Sequence, residues 1–87
     1  MNSAELVNLI LEKMRRVEFL EIVNNPLLVK FAWGGNEYTV VEHESERLQV
    51  HRWVDGWSAM DNYQRHVEDR LNGLVRNDAG ELVPCEN

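Results

Sequence analysis

Carboxylates are the most concentrated chemical groups in this sequence. Glu37, Glu42, Glu44 and Glu46 fall within ten residues. No lysine or arginine lies among them, and the next one is Arg47. Carboxylates at this density can take the arginine side chains of a partner in charge-assisted hydrogen bonds. They can also form a solvated acidic surface with no partner, which is the usual position of charged side chains in a folded protein.

Three histidines, His43, His51 and His66, raise the hypothesis of a metal site, with Glu42 and Glu44 near the first of them as further ligands. Metal sites usually draw their ligands from short paired spacings that converge on one point. These histidines are irregularly spaced, and the single cysteine provides no pair. We therefore expect no metal and no cofactor.

Catalysis finds little support in the same residues. An acid/base pair such as Glu44 with His66 would need a cleft and a perturbed pKa. The sequence contains no Gly-rich phosphate loop, no serine nucleophile elbow and no cysteine–histidine pair. We expect a protein that is not an enzyme.

Length and charge restrict the partners. The 87 residues fit one compact domain over residues 1–76, followed by a flexible tail, residues 77–87, which holds the lone Cys85. A net charge of −6 disfavours nucleic acid and anionic membranes and permits a basic protein surface. One cysteine excludes an intrachain disulfide and suits a reducing cytoplasm, where we expect the protein to act.

The first helix is predicted from its cap and its period. Asn2 stands three residues before Glu5, the spacing of a capping box, and an apolar stripe follows from Leu6. Leu9 and Leu11 widen that stripe to about half of the circumference, more than one amphipathic face needs. The helix either packs against both a sheet and another helix, or offers its extra surface to a dimer or another partner.

Three strands are predicted over residues 17–23, 27–33 and 37–42. Gly34-Gly35-Asn36 separates the last two and indicates a β-hairpin, because glycine and asparagine accept the positive φ of a short turn. Trp33 directly precedes this turn. It is either a core residue, like Trp53 and Trp57, or an exposed binding anchor at the tip.

The segment from Ser45 to Trp57 fits two patterns. Leu48, Val50 and Val54 alternate as in a strand, whereas Val50, Trp53, Val54 and Trp57 have helical spacing. We favour a helix here, and a final helix that Ser58 caps and Gly73 ends. The predicted fold is thus α+β, a three-stranded antiparallel sheet with one helix before it and two after it (αβββαα).

The hairpin and its neighbourhood resemble a known family. The chain is similar to small phage-encoded anti-CRISPR proteins that inhibit the type II, single-protein, RNA-guided nuclease. The matching residues are Met1, Asn2, Glu5 and Leu6, the turn Gly35-Asn36-Glu37-Tyr38, the acids Glu42, Glu44 and Glu46, and Gly56-Trp57. Departures from the family pattern are Gly34, where an aspartate is expected, and Arg15-Arg16, where an acid is expected.

The resemblance implies inhibition by DNA mimicry. In that family the hairpin turn and nearby carboxylates occupy the nuclease cleft that reads a short duplex motif with arginine side chains. Carried over, the partner-binding residues would be Gly35, Asn36 and Glu37 with the acids at 42, 44 and 46. The alternative is a small cytoplasmic interaction or homodimerisation domain of bacterial or phage origin that uses its first helix as the interface.

Overall fold

The computed structural model describes residues 1–43 and 47–84. Two helices and seven strands lie in these ranges. Their order is α1 (Ser3–Lys13), β1 (Glu18–Val23), β2 (Leu28–Trp33), β3 (Asn36–Glu42), β4 (Leu48–Val54), β5 (Trp57–Ala59), α2 (Asn62–Leu71), β6 (Leu74–Arg76) and β7 (Leu82–Pro84).

The main sheet is a five-stranded antiparallel meander in the order β1-β2-β3-β4-β5, and β6 and β7 form a separate hairpin. The predicted α+β class is therefore correct, but the three-stranded αβββαα arrangement is wrong. Residues 48–54 form a strand, not a helix. Leu48 and Val50 are buried in the core on one face, and the intervening residues are not. The alternation of buried and more exposed residues therefore indicates the correct structure, and the helical spacing of the apolar residues does not.

The first helix begins as the sequence predicts. The Asn2 side chain accepts the Glu5 backbone N–H at 2.8 Å, and the Glu5 carboxylate accepts the Asn2 N–H at 3.1 Å. Leu6 and Ile10 are fully buried, and Leu9 packs partly against the core. Leu11 is 54% exposed, so one member of the widened stripe lies outside the core. Neither described helix is long and apolar enough to cross a membrane.

The second helix begins three residues later than predicted. Ser58 lies in β5, and Asp61 is the N-cap, with its carboxylate accepting the Gln64 N–H at 2.9 Å. The same carboxylate pairs with Arg52 of β4. Short polar residues at a helix start satisfy backbone N–H groups that have no other partner.

Side chains of α2 complete the sheet where β5 stops. The short strand β5 pairs only with the end of β4, from Arg52 to Val54. Along the rest of that edge, Gln64 and Glu68 bond the carbonyl and N–H of Val50, and Asn72 bonds both groups of Leu48, all at 2.9–3.1 Å. These residues are spaced four apart, so one stripe of α2 satisfies backbone groups that an edge strand would leave unpaired.

The core lies between the helices and one face of the sheet. It consists of eleven buried apolar residues: Leu6, Ile10, Met14, Val29, Phe31, Tyr38, Val40, Leu48, Val50, Val67 and Leu71. The register pairs Phe31 with Tyr38, whose rings stack at 5.6 Å between centroids. Residues one position out of phase, such as Glu37, Thr39 and Trp53, therefore point to the opposite face of the sheet.

The chain beyond α2 folds back as a hairpin. Leu74–Arg76 pairs antiparallel with Leu82–Pro84, and the first of these strands packs against α2. Residues 77–84, predicted to begin a flexible tail, thus form the turn and second strand of this hairpin. The predicted domain end at residue 76 falls between its two strands. Cys85 lies outside the described residues.

Candidate functional site

Two hairpin turns lie at the same end of the main sheet, because alternate turns of a meander do so. Gly34-Gly35 joins β2 to β3, as the sequence predicts, and Asp55-Gly56 joins β4 to β5. All four residues have positive φ, between 49° and 83°, which suits two-residue hairpin turns of the I′ kind. We call these turns, with the adjoining residues Glu37, Trp53, Val54, Trp57, Met60 and Tyr63, the turn end.

Arg52 fastens the turn end to the second helix. Its guanidinium donates to Asp61 Oδ2 at 2.6 Å and to Asn36 Oδ1 at 2.9 Å. Its Cζ also lies 5.1 Å from the centroid of the Tyr63 ring, within cation–π range. One partly buried arginine thus joins β3, β4 and the N-terminus of α2. The turn end is therefore held at more than one point.

The same contacts act on the Asp61 carboxyl. The backbone N–H of Gln64 and the positive charge of Arg52 hold the pKa of Asp61 below its ordinary value of 3.8. Asp61 is therefore ionised at neutral pH. It serves both as the helix cap and as the counter-ion of Arg52.

Two buried polar atoms beneath the turn end make no hydrogen bond within the described part of the chain. They are the Tyr38 hydroxyl and the Arg52 Nε. Burial raises the pKa of the Tyr38 phenol above its ordinary value of 10.0, although the nearby charge of Arg52 opposes the shift. The phenol is therefore neutral and enclosed at neutral pH, and it does not reach the surface.

Large apolar side chains are exposed at the turn end. Trp57 is 79% exposed, Met60 62% and Tyr63 61%, and Trp53 and Val54 are exposed to smaller degrees. The Trp53 indole is oriented by a 2.6 Å hydrogen bond from its Nε1 to Thr39 Oγ1. Exposed tryptophan, tyrosine and methionine are typical of surfaces that bind proteins.

The tryptophans divide differently from the sequence expectation. Trp33 is half-buried and packs against the core, with its ring 6.4 Å from Tyr38 and stacked 6.1 Å from His66. The core interpretation is therefore correct for Trp33. It is wrong for Trp57, which lies at the rim of the second turn. The helix predicted over this segment left no place for a hairpin there.

The predicted acidic site is divided by strand β3. Gly35 and exposed Glu37 lie at the turn end, and Asn36 lies beside them with its side-chain oxygen occupied by Arg52. Glu42 is the last residue of β3, five residues and about 17 Å farther along an extended strand. There it lies 3.6 Å from the N-terminal amine of Met1.

Other acids complete this distribution. Glu44 and Glu46 lie outside the described residues. Asp55, which is not among the acids predicted for the site, is exposed in the second turn beside Trp57. The turn end therefore carries Glu37 and Asp55 as its exposed acids, and Glu42 belongs to the opposite end of the sheet.

The three histidines lie apart. His43 follows β3, His51 lies on the far face of the sheet with its Nδ1 3.0 Å from Ser58 Oγ, and His66 stacks on Trp33. Across residues 1–43 and 47–84, no three His, Cys, Asp or Glu side chains lie close enough to hold a metal ion together.

Comparison with known proteins adds no assignment. No protein-family model, no curated protein and no solved structure matches this chain. The aromatic and acidic surface of the turn end is therefore the feature from which a function must be inferred.

Proposed function

We propose that this protein is a non-enzymatic inhibitor that docks its turn end on a basic surface of a protein partner. The observation that carries the proposal is the position of Trp57, 79% exposed at the rim of the turn that holds Asp55. Glu37 lies at the same end of the sheet, but the register places its side chain on the other face from Trp57. An exposed tryptophan supplies the apolar anchor of an interface, and the carboxylates at this end of the sheet select a cationic partner.

The charge around the turn end supports a basic partner. Within β3, β4 and β5, the single lysine or arginine is Arg52, and Asp61 already neutralises it. Arg15 and Arg16 precede β1, whose start lies at this same end of the sheet but at the edge opposite β5. The half of this end formed by β3–β5 is thus acidic.

The resemblance described above gives the proposal its finer form. The partner would be a CRISPR-associated nuclease, and the acidic turn end would occupy the cleft in which arginines read DNA. Glu37 would take such an arginine through its carboxylate, and Gly35 would contribute backbone because it has no side chain. Because Arg52 holds Asn36, we assign Asn36 a supporting role. The acids at 42, 44 and 46 would make a separate contact, and the site of action would be the bacterial cytoplasm.

The test is binding to immobilised nuclease–guide complexes, with inhibition of cleavage as the second measurement. Trp57→Ala should cost about 2–4 kcal/mol of binding free energy, as expected for an interface anchor. Glu37→Arg should cost about 2–5 kcal/mol, because it places a cation against a basic surface. Binding should also weaken steeply with salt, since exposed charges are screened within about 10 Å.

Matched controls lie on the first helix. Leu11→Ala removes another exposed apolar side chain, and Glu12→Arg makes the same charge reversal away from the turn end. Both should bind as the wild type does. Equal loss in all four variants would assign the effect to folding or net charge, and full binding by Trp57→Ala and Glu37→Arg would refute the proposal.

Self-association is the second candidate. It is favoured by Leu11, Leu20 and Ile22, three apolar residues on α1 and the edge strand β1 that are 44–54% exposed. Against it, that strand carries Glu18, Glu21 and a bulge, which are devices that discourage edge pairing. Sedimentation across a concentration series decides between docking on a partner protein and self-association. A dimer that Leu20→Glu converts to monomers would favour self-association.

A further inference from the structure

A groove of about 420 Å³ runs between α2 and β6, separate from the acidic residues of the turn end. One stripe of α2 forms its first wall: Asn62, Arg65, His66, Asp69 and Arg70, at helical spacings of three and four. Strand β6 forms the second wall with Leu74, Val75 and Arg76. The groove thus combines an apolar side with a polar, cationic one.

The charge of the groove is opposite to that of the chain. The protein has a net charge of −6, yet this groove is lined by three arginines and one carboxylate, a formal charge of +2. Arginines gathered in a concave site concentrate positive potential there and attract anions. An acidic protein has no need of such a site for solubility.

Two of the arginines are held in place through single nitrogens. Arg70 donates its Nε to the Lys13 carbonyl at 2.9 Å, and Arg76 donates an Nη to the Gly80 carbonyl at 2.7 Å. Their other guanidinium nitrogens make no bond to the described residues. Arg65 is exposed, and its side chain makes no hydrogen bond or ion pair with any described residue. Guanidinium groups of this kind fit phosphate and carboxylate oxygens.

Asp69 is the unusual member of the wall. It is only 9% exposed, and it makes no hydrogen bond or ion pair within ranges 1–43 and 47–84. Its carboxylate oxygens are not among the fully enclosed unpartnered atoms of the described residues, so they reach the groove without a donor from the protein. Its place in the wall of the groove gives it access to a donor that comes from a ligand.

We propose that the α2–β6 groove binds a small phosphorylated molecule that also carries an N–H donor, of the nucleoside monophosphate class. The phosphate lies against the arginines, and a ring or amino N–H donates to Asp69. The ring packs on Leu74 and Val75. The volume suits such a ligand, since small-molecule sites span about 300–1,000 Å³. A nucleic-acid polymer is disfavoured, because the net charge of −6 repels an extended phosphate backbone.

The test is a titration of the full ¹⁵N-labelled chain with nucleoside 5′-monophosphates, inorganic phosphate and unphosphorylated nucleosides. Saturable amide shifts should appear on α2 and β6 with a monophosphate. Arg65→Gln should weaken binding about tenfold or more, because it deletes a charge-assisted contact. Arg15→Gln removes an exposed arginine elsewhere and should change nothing, and Glu37→Arg, at the turn end, should also leave this affinity unaltered.

Asp69→Asn tests the N–H contact to Asp69 separately from the phosphate contact to the arginines. The change removes negative charge, so affinity for inorganic phosphate should rise. The preference for the nucleotide over inorganic phosphate should fall about fivefold or more, because an amide oxygen is a weaker acceptor than a carboxylate. An unchanged preference would overturn the role of Asp69. Absence of saturable shifts with every monophosphate, or wild-type affinity in Arg65→Gln, would overturn the site.

Discussion

The turn end and the α2–β6 groove expose side chains of opposite charge on the same small protein. The first is a protruding surface of aromatic and acidic side chains, and the second is a concave surface of arginines. Helix α2 contributes to both, since Tyr63 belongs to the turn end and Arg65 to the groove. The difference shows that a net charge of −6 describes neither region, because acidic and basic residues are separated in space.

The two regions also differ in how their shape is fixed. Backbone conformation shapes the turn end, through positive-φ turns and the ties that Arg52 makes between strands and helix. The groove depends on β6, a three-residue strand paired only with β7 among the described elements. We therefore expect the turn end to be the more rigid of the two, and substitutions can test this contrast.

The largest effect is expected from forcing a β-branched residue into a turn. Gly35→Val should destabilise the fold by about 1–3 kcal/mol, because Gly35 has φ +82° and valine strongly resists that conformation. Nothing lies within 4 Å of an added Cβ there, so the cost is conformational and not steric. Urea unfolding measures it. Partner binding at the turn end should weaken, while nucleotide binding in the groove should persist.

The matched variant is Gly80→Val, in the turn between β6 and β7. Gly80 has nearly the same φ, +80°, and equally open space around it. This change should disturb the groove, because the Gly80 carbonyl holds Arg76, and it should leave the turn end intact. If both variants impaired both activities equally, the two regions would form one cooperative unit and the contrast would be lost.

These glycines also show what local sequence signals can predict. The Asn2 cap and the Gly34-Gly35 turn were correctly predicted because neighbouring residues alone determine them. The Asp55-Gly56 turn was missed, since the helical spacing of residues 50–57 outweighed a dipeptide that is itself a hairpin signal. Exposed Trp57 was then counted as core.

The groove and the separation of the acids could not be predicted, because both depend on how distant segments of the chain pack together. The spacing of Arg65, His66 and Arg70 was readable from the sequence, but without β6 it described only one polar face of a helix. Glu42 followed Glu37 closely in sequence, but the intervening strand carries it about 17 Å away. A run of acids is therefore a surface only when the backbone brings its members together.

A smaller, pH-dependent effect is expected from Asp61→Asn. Asparagine can still cap α2, but it cannot serve as the counter-ion of Arg52. Because the folded-state pKa of Asp61 is lowered, its stabilising effect is present above the ordinary carboxyl value of 3.8 and is lost as the pH falls through the folded-state pKa. The variant should thus be less stable than the wild type at neutral pH, and the difference should shrink below about pH 3.8.

Urea midpoints measured from neutral to acidic pH check this sign. Asp78→Asn is the control, because Asp78 is exposed in the turn between β6 and β7, remote in sequence from Arg52 and outside its described contacts. A gap between wild type and Asp61→Asn that stays constant down to about pH 2 would show that the ion pair does not stabilise the turn end.

The smallest effect is expected from Tyr38→Phe, which removes one of the two buried polar atoms that lack a partner among the described residues. Tyr38 is fully buried, and its hydroxyl lies near Asn36 and Arg52 without a hydrogen bond of good geometry to any described residue, so deleting that oxygen removes a desolvated polar group and at most a weak contact. Stability at neutral pH should change by less than about 1 kcal/mol. Partner binding should be unaffected, because Arg52 keeps its contacts with Asp61 and Asn36.

The alkaline side gives a second measurement with a definite sign. Burial raises the folded-state pKa of Tyr38, so its contribution is complete below the ordinary value of 10.0 and is lost as the pH rises through the folded-state pKa. Tyr38→Phe should therefore lose less stability than the wild type above about pH 10. A large loss at neutral pH would instead mean that the hydroxyl supports the Arg52 network. The Tyr38 phenol is enclosed and uncharged, so it gains nothing from a ligand. The Asp69 carboxylate instead lines an open groove, where the proposed ligand would donate a hydrogen bond to it.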